Sequence, residues 1–248
     1  MVKGLDTFQK YFADYEEQYV LIGGAACDIL FESNEVNFRA TRDLDMVLIV
    51  EALTPEFGVK FWKFIVDGKY RNKATNGSNP QFYRFDKPED DNFPKMIELF
   101  CRSDFKLKDA KGITPIHIDD EVSSLSAILL NDDYYKAFLH GKEVRKGLSV
   151  LRPEYIILFK AKAYLDLKKQ KDSGEKVDSS DIKKHKKDVL RITSELMLEK
   201  VEELPTAVDA DIHSFIDLLE QEPFDQNSLK KYGLKNEDVV ELLKQVFG

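Results

Sequence analysis

Asp43 and Asp45 stand two residues apart at the head of the apolar run Leu44–Val50. On a β-strand, residues at i and i+2 project from one face, so the two carboxylates are expected side by side. Like charges held together at the start of a buried strand are costly, and a divalent cation removes that cost. Mg²⁺ takes one or two carboxylates and completes its shell with water and substrate phosphates. The pair therefore reads as a metal site that a triphosphate can reach. Glu98 is a third acid of interest, because it interrupts the apolar stretch Met96-Ile97-Glu98-Leu99-Phe100. If its strand neighbours the Asp43/Asp45 strand, Glu98 completes a triad and serves as general base or as a ligand of a second metal. If its strand lies at an edge, Glu98 faces water.

Gly23-Gly24 follows the apolar run Tyr19–Ile22 and precedes the helical stretch Ala25–Phe31. A strand–glycine–helix junction suits phosphate binding: the helix N-terminus offers free N–H groups and the positive end of its dipole. A glycine there also removes the Cβ that blocks close approach. Arg39, Thr41 and Arg42 flank the aspartates and are read either as phosphate or carboxylate contacts or as turn residues. Lys160 and Lys162 interrupt an apolar helical stretch. Lys162 has Asp166 four residues on, a plain helix pair. Lys160 has no acid in that position and is the preferred phosphate-reaching lysine. Asp178 reads as a helix N-cap with Asp181 in the first turn. His185 lies on an apolar stripe and reads as a partly buried histidine rather than a ligand. His117 and His140 have no partners at metal-ligand spacing.

These residues need elements to hold them. Leu5, Phe8, Phe12 and Tyr15 recur at helical spacing over 5–16. Thr54-Pro55 reads as a helix start, with threonine as cap and proline at the first position, and that helix runs to about Asp67. Gly77–Pro80 is a turn. Gln81–Asp86 and Lys95–Arg102 are strands joined by an acidic loop, and Ile113–Ile118 is a further short strand. The character changes at Arg152-Pro153-Glu154: strands alternate with helices before it, and every pattern after it is helical. A helix from Pro153, a polar linker at Gly174–Ser180, a helix carrying Ile182, Val189, Ile192 and Leu196, and shorter helices at Ala210–Gln221 and Asn236–Phe247 are expected. The fold class is thus α/β (α+β): a mixed sheet with flanking helices over residues 1–150, then a helical domain over 151–248.

The chain has 248 residues and a net charge of −8, which argues against a general nucleic-acid-coating surface. The charge is uneven, however. Residues 155–190 hold ten lysines against six acids, making this stretch the candidate for attracting a polyanion; the plainer reading is a solvated helix face. The two cysteines, Cys27 and Cys101, lack metal or redox spacing and read as reduced thiols of a cytoplasmic protein. Neither a signal-peptide pattern nor a membrane-length apolar run is present, so no membrane partner is expected.

Ile22-Gly23-Gly24 followed by Asp43-Leu44-Asp45-Met46 resembles the signature of the nucleotidyltransferase superfamily. Gly23-Gly-Ala-Ala-Cys27, Phe38-Arg-Ala-Thr-Arg-Asp-Leu-Asp-Met46 and Asp181-Ile-Lys-Lys-His-Lys-Lys-Asp188 look, more narrowly, like AbiEii/AbiGii-type abortive-infection proteins. That resemblance implies a nucleotidyltransferase-like domain joined to a helical C-terminal domain. It implies toxins of bacterial toxin–antitoxin pairs or their relatives, some of which transfer nucleotides to tRNA ends. Carried onto this chain, Gly23 and Gly24 bind an NTP, Asp43 and Asp45 hold Mg²⁺ (or Mn²⁺), and Glu98 matches the third-carboxylate strand. The lysines near residue 160 and Asp181 match later motifs loosely. The gap from Gly24 to Asp43 is longer than the superfamily's minimal pattern, and Ala25 stands where many relatives carry a polar residue. The expected function is Mg-dependent transfer of a nucleoside monophosphate to a hydroxyl of RNA or protein, with a cognate antitoxin as a further partner. Two other readings remain open: a non-catalytic nucleotide- or partner-binding relative, and a metal-dependent glycosyltransferase, since Asp-x-Asp also serves nucleotide sugars.

Overall fold

The computed structural model describes residues 2–32, 43–72, 82–102 and 128–248. The expected turn at 77–80, the strand at 113–118, and Arg39, Thr41, Arg42 and His117 lie outside the described residues. The chain divides into two compact units, Met1–Ile118 with Lys142–Leu151, and Asp119–Gly141 with Arg152–Gly248. The sequence reading places one division near residue 150; in the structure residues 128–141 also belong with the C-terminal helices.

The first unit is built on a seven-stranded mixed sheet. Its strands are β1 (Tyr19–Ile22), β2 (Asp43–Leu48), β3 (Arg71–Asn72), β4 (Phe82–Asp86), β5 (Met96–Cys101), β6 (Lys142–Arg145) and β7 (Leu148–Leu151), in the order β3-β4-β5-β2-β1-β7-β6. Strands β2 and β5 run parallel at the centre, and β1 pairs antiparallel with β2. Central strands buried on both faces need continuous apolar sequence, which Tyr19–Ile22 and the Met46–Leu48 end of β2 supply.

Two helices cover this sheet with aromatic side chains. Helix α1 (Leu5–Phe12) buries Leu5, Phe8 and Phe12. It ends earlier than the pattern to Tyr15 suggests, and Tyr15 instead packs its ring 5.7 Å from Phe57. Helix α3 (Pro55–Asp67) begins as its sequence predicts: Pro55 occupies the first turn, and the Thr54 hydroxyl accepts from the Phe57 N–H at 3.3 Å. It buries Phe57, Phe61 and Phe64. Phe64 meets Phe8 and Phe12 at 5.8 and 5.4 Å in edge-to-face contacts, the geometry the ring quadrupole favours. Between them, α2 (Gly23–Glu32) leaves directly from the end of β1.

The second unit comprises α4 (Asp132–His140), α5 (Pro153–Asp172), α6 (Ser179–Glu195), α7 (Thr206–Gln221), α8 (Gln226–Tyr232) and α9 (Asn236–Phe247). Asp178 caps α6 by accepting the Ser180 N–H at 2.8 Å, and Asp181 falls in the first turn. Asn131 caps α4. That helix is tied to α7 by the Tyr134 hydroxyl on Asp211 at 3.0 Å and by the Ala207 N–H on Asp133 at 3.1 Å, which is why it joins this unit rather than the sheet. No described helix is long and apolar enough to cross a membrane.

Candidate functional site

The pairing of β2 with β5 decides where Glu98 lies. The strands run parallel in a register that sets Asp45 opposite Glu98. Strand β5 lies between β4 and β2, so Glu98 is not on an edge strand facing water. Its residue is only 7% exposed. A buried carboxylate needs compensation, and Arg84 of β4, also opposite Glu98, provides it. The Arg84 Nε donates to Glu98 Oε1 at 2.7 Å, and a second guanidinium nitrogen lies 2.5 Å from the same oxygen.

Five influences act on the Glu98 carboxyl. Burial is the largest and raises its pKa; the Arg84 charge and hydrogen bond lower it, a hydrogen bond with Asp45 also lowers it, and the negative charge of Asp43 raises it. The net effect is upward, because desolvation outweighs the one guanidinium. Asp45 and Asp43 both lie near enough to act on the Glu98 carboxyl.

Gly23 completes the arrangement from the other side of β2. Ile22 pairs with Asp45 in the β1–β2 ladder, so the next residue turns beside that carboxylate. Gly23 adopts φ +59°, a left-handed conformation that favours glycine, and it leaves no room for a side chain between the turn and Asp45. Gly24 follows in the first turn of α2.

The first unit therefore brings together Gly23, Gly24, Asp43, Asp45 and Glu98. Lys160 and Lys162 belong to the second unit, where each meets carboxylates of that unit. Lys162 pairs with Asp166 at 3.0 Å, the helix pair read from sequence, and with Asp211 at 3.2 Å. Lys160 lies 3.1 Å from Asp188 of α6. Its partner comes from another helix, so the absence of an acid on its own helix gave no sign of it. His185 is buried at 4% exposure, as the apolar stripe suggests, and both cysteines are buried. Nothing local in the sequence marks Arg84 as a site residue. It is a lone arginine inside Phe82-Tyr-Arg-Phe-Asp86, and its meaning requires the β4–β5 register.

Three carboxylates are the donor chemistry of a hard divalent cation. Among the described residues, however, no group of three or more His, Cys, Asp or Glu side chains is arranged to hold a metal ion. Glu98 is turned to the Arg84 fork. Asp43 and Asp45 remain as two oxygen-donor side chains at the head of β2, the donor type that a hard divalent cation takes.

No protein-family model matches the chain, and no curated protein matches it. Among solved structures, the chain is similar to the crystal structure of an antigenic nucleotidyltransferase-like protein from Paracoccidioides brasiliensis. The identity is 15%, 98% of this chain and 93% of that chain are covered, and the TM-score is 0.45.

Proposed function

We propose that the chain is a Mg²⁺- or Mn²⁺-dependent nucleotidyltransferase that moves a nucleoside monophosphate from an NTP to a hydroxyl acceptor. The observation that carries this reading is the register of β2 on β5, which sets Asp45 opposite Glu98 while Gly23 turns against Asp45. Asp43 and Asp45 would hold the cation, which when bound neutralises charge on the phosphates and on the departing pyrophosphate. The Gly23-Gly24 turn admits the polyphosphate to the N-terminal N–H groups of α2. Glu98, with its pKa raised by burial, is suited to take the proton of the attacking hydroxyl at a carboxylate oxygen. Arg84 fixes that carboxylate in place. The acceptor is RNA or protein, and in line with the sequence resemblance the chain acts as the toxin of a toxin–antitoxin pair.

The test is incubation of the full chain with each labelled NTP and Mg²⁺, with total RNA and with protein extract as acceptors. Label transfer that requires the metal and disappears in Asp43→Asn is expected. Transfer unaffected by Asp43→Asn overturns the proposal. A second reading is supported by the Arg84–Glu98 pair, which engages the third carboxylate: a nucleotide- or partner-binding relative without transfer. NTP binding with no metal-dependent pyrophosphate release selects that reading.

A further inference from the structure

Helices α5, α6 and α8 and the turn after α7 enclose an open groove of about 590 Å³ in the second unit. That volume is in the range of small-molecule sites, roughly 300–1,000 Å³. Two i,i+4 rows of α6 line it. One is Ser179, Lys183 and Lys187; the other is Ile182, Lys186 and Leu190. The second row supplies an apolar floor, since Ile182 and Leu190 are buried.

The groove's charges are not balanced. Five lysines and three carboxylates line it, and the carboxylates are partly spent. Glu222 accepts from Lys168 at 2.9 Å and from the Tyr164 hydroxyl at 3.3 Å, which holds it below the usual carboxylate range. Asp225 caps α8 by accepting the Ser228 N–H at 2.9 Å. Lys186 is spent as well: it donates to the carbonyls of Glu222 and Pro223 and lies over the rings of Tyr164 and Phe224. Lys183 and Lys187 remain exposed on one face of α6, and the charge of Lys187 is felt by Asp225 across the groove. Lys171 reaches across to the Ser179 hydroxyl at 2.6 Å. Like charges four apart destabilise a helix, and an anion between them reverses that effect.

We infer that this groove binds a nucleotide-sized organic polyphosphate, with its phosphates on Lys171, Lys183 and Lys187 and its apolar body on Ile182 and Leu190. The site lies wholly within the helical unit and does not depend on the nucleotidyltransferase reading. Fluorescent ATP, inorganic tripolyphosphate and a short RNA oligonucleotide are titrated into the full chain in EDTA, which disfavours metal-dependent binding at Asp43 and Asp45. ATP should bind saturably, at least as tightly as tripolyphosphate, and release with rising salt. Lys183→Glu/Lys187→Glu should weaken ATP about tenfold or more, the milder Lys183→Gln/Lys187→Gln should weaken it less, and Asp43→Asn should leave it unchanged. Both lysines are exposed, so circular dichroism and melting should match wild type. The inference is overturned by any of four results: no saturable ATP binding, ATP binding indifferent to both lysine variants, ATP binding lost in Asp43→Asn, or binding of tripolyphosphate or RNA alone.

Discussion

A Cβ placed on Gly23 would stand 2.2 Å from Oδ2 of Asp45. The glycine of the β1–α2 turn and the second aspartate of the Asp-x-Asp pair therefore specify each other. The backbone turns with φ +59° where it does, and the carboxylate fills the space that a side chain would need. Two motifs that lie 20 positions apart in the chain are in this sense one site.

Gly23→Ala is expected to fail on both counts. An L residue in the left-handed region costs about 1–2 kcal/mol, and the methyl forces Asp45 aside. Chemical denaturation should show a loss of about that size, and nucleotide transfer should fall well beyond what that loss explains. Retention of full transfer by a folded Gly23→Ala protein would show that the turn does not set Asp45.

Asp43→Asn removes a charge from a site crowded with carboxylates. Asp43 pushes Glu98 upward, so relieving that repulsion should leave stability unchanged or slightly higher, within about 0.5 kcal/mol. Metal-dependent transfer should drop by about 10²–10³-fold or more, the scale of losing a group that acts on developing charge. Denaturation curves and labelled-NTP transfer measured on one preparation separate the two effects.

The elements that position this site were legible where one residue's chemistry decides local conformation. Thr54-Pro55 starts α3, Asp178 starts α6, and Gly23 ends β1, each through its own backbone or side-chain geometry. The same-face relation of Asp43 and Asp45 follows from strand periodicity alone. Glu98 was ambiguous because its burial depends on which strands flank β5, and non-local pairing leaves no local trace. Arg84 was invisible for the same reason: its meaning lies in the β4–β5 register. The partner of Lys160 was hidden likewise, since Asp188 lies on the following helix. Helix α4 and the β6–β7 hairpin are short elements, and the place of α4 in the helical unit rests on hydrogen bonds to α7 that no periodicity encodes.

Arg84→Met tests how far the buried carboxylate relies on its guanidinium. Arg84 is a quarter exposed and Glu98 about a tenth, so the pair is partly desolvated. Removing one partner of such a pair leaves an uncompensated charge, and a loss of about 3 kcal/mol is expected, the low end for buried pairs. Glu98→Gln in the same background should restore most of it, because the neutral amide needs no counter-charge. A double-mutant cycle by urea denaturation reads the coupling directly. Equal losses for Arg84→Met with and without Glu98→Gln mean that Arg84 acts through other neighbours.

Glu154 offers a pH signature in the second unit. It is 2% exposed in the first turn of α5. Its Oε1 accepts the Glu199 N–H at 2.7 Å, while Oε2 is buried without a hydrogen-bond partner. Burial raises its pKa, outweighing the hydrogen bonds and the Arg152 charge that lower it. A carboxyl whose folded pKa lies above its unfolded value binds its proton more tightly when folded, so it contributes a penalty at neutral pH. That penalty fades as pH falls through the folded pKa and is gone below the unfolded one. Glu154→Gln keeps an acceptor for the Glu199 N–H and removes the ionisation. The variant should melt higher than wild type at pH 7, and the two should converge as the pH is lowered past the ordinary glutamate range. A variant that melts lower at pH 7 by the same margin at every pH would mean that the charge itself is compensated and that shape alone governs the position.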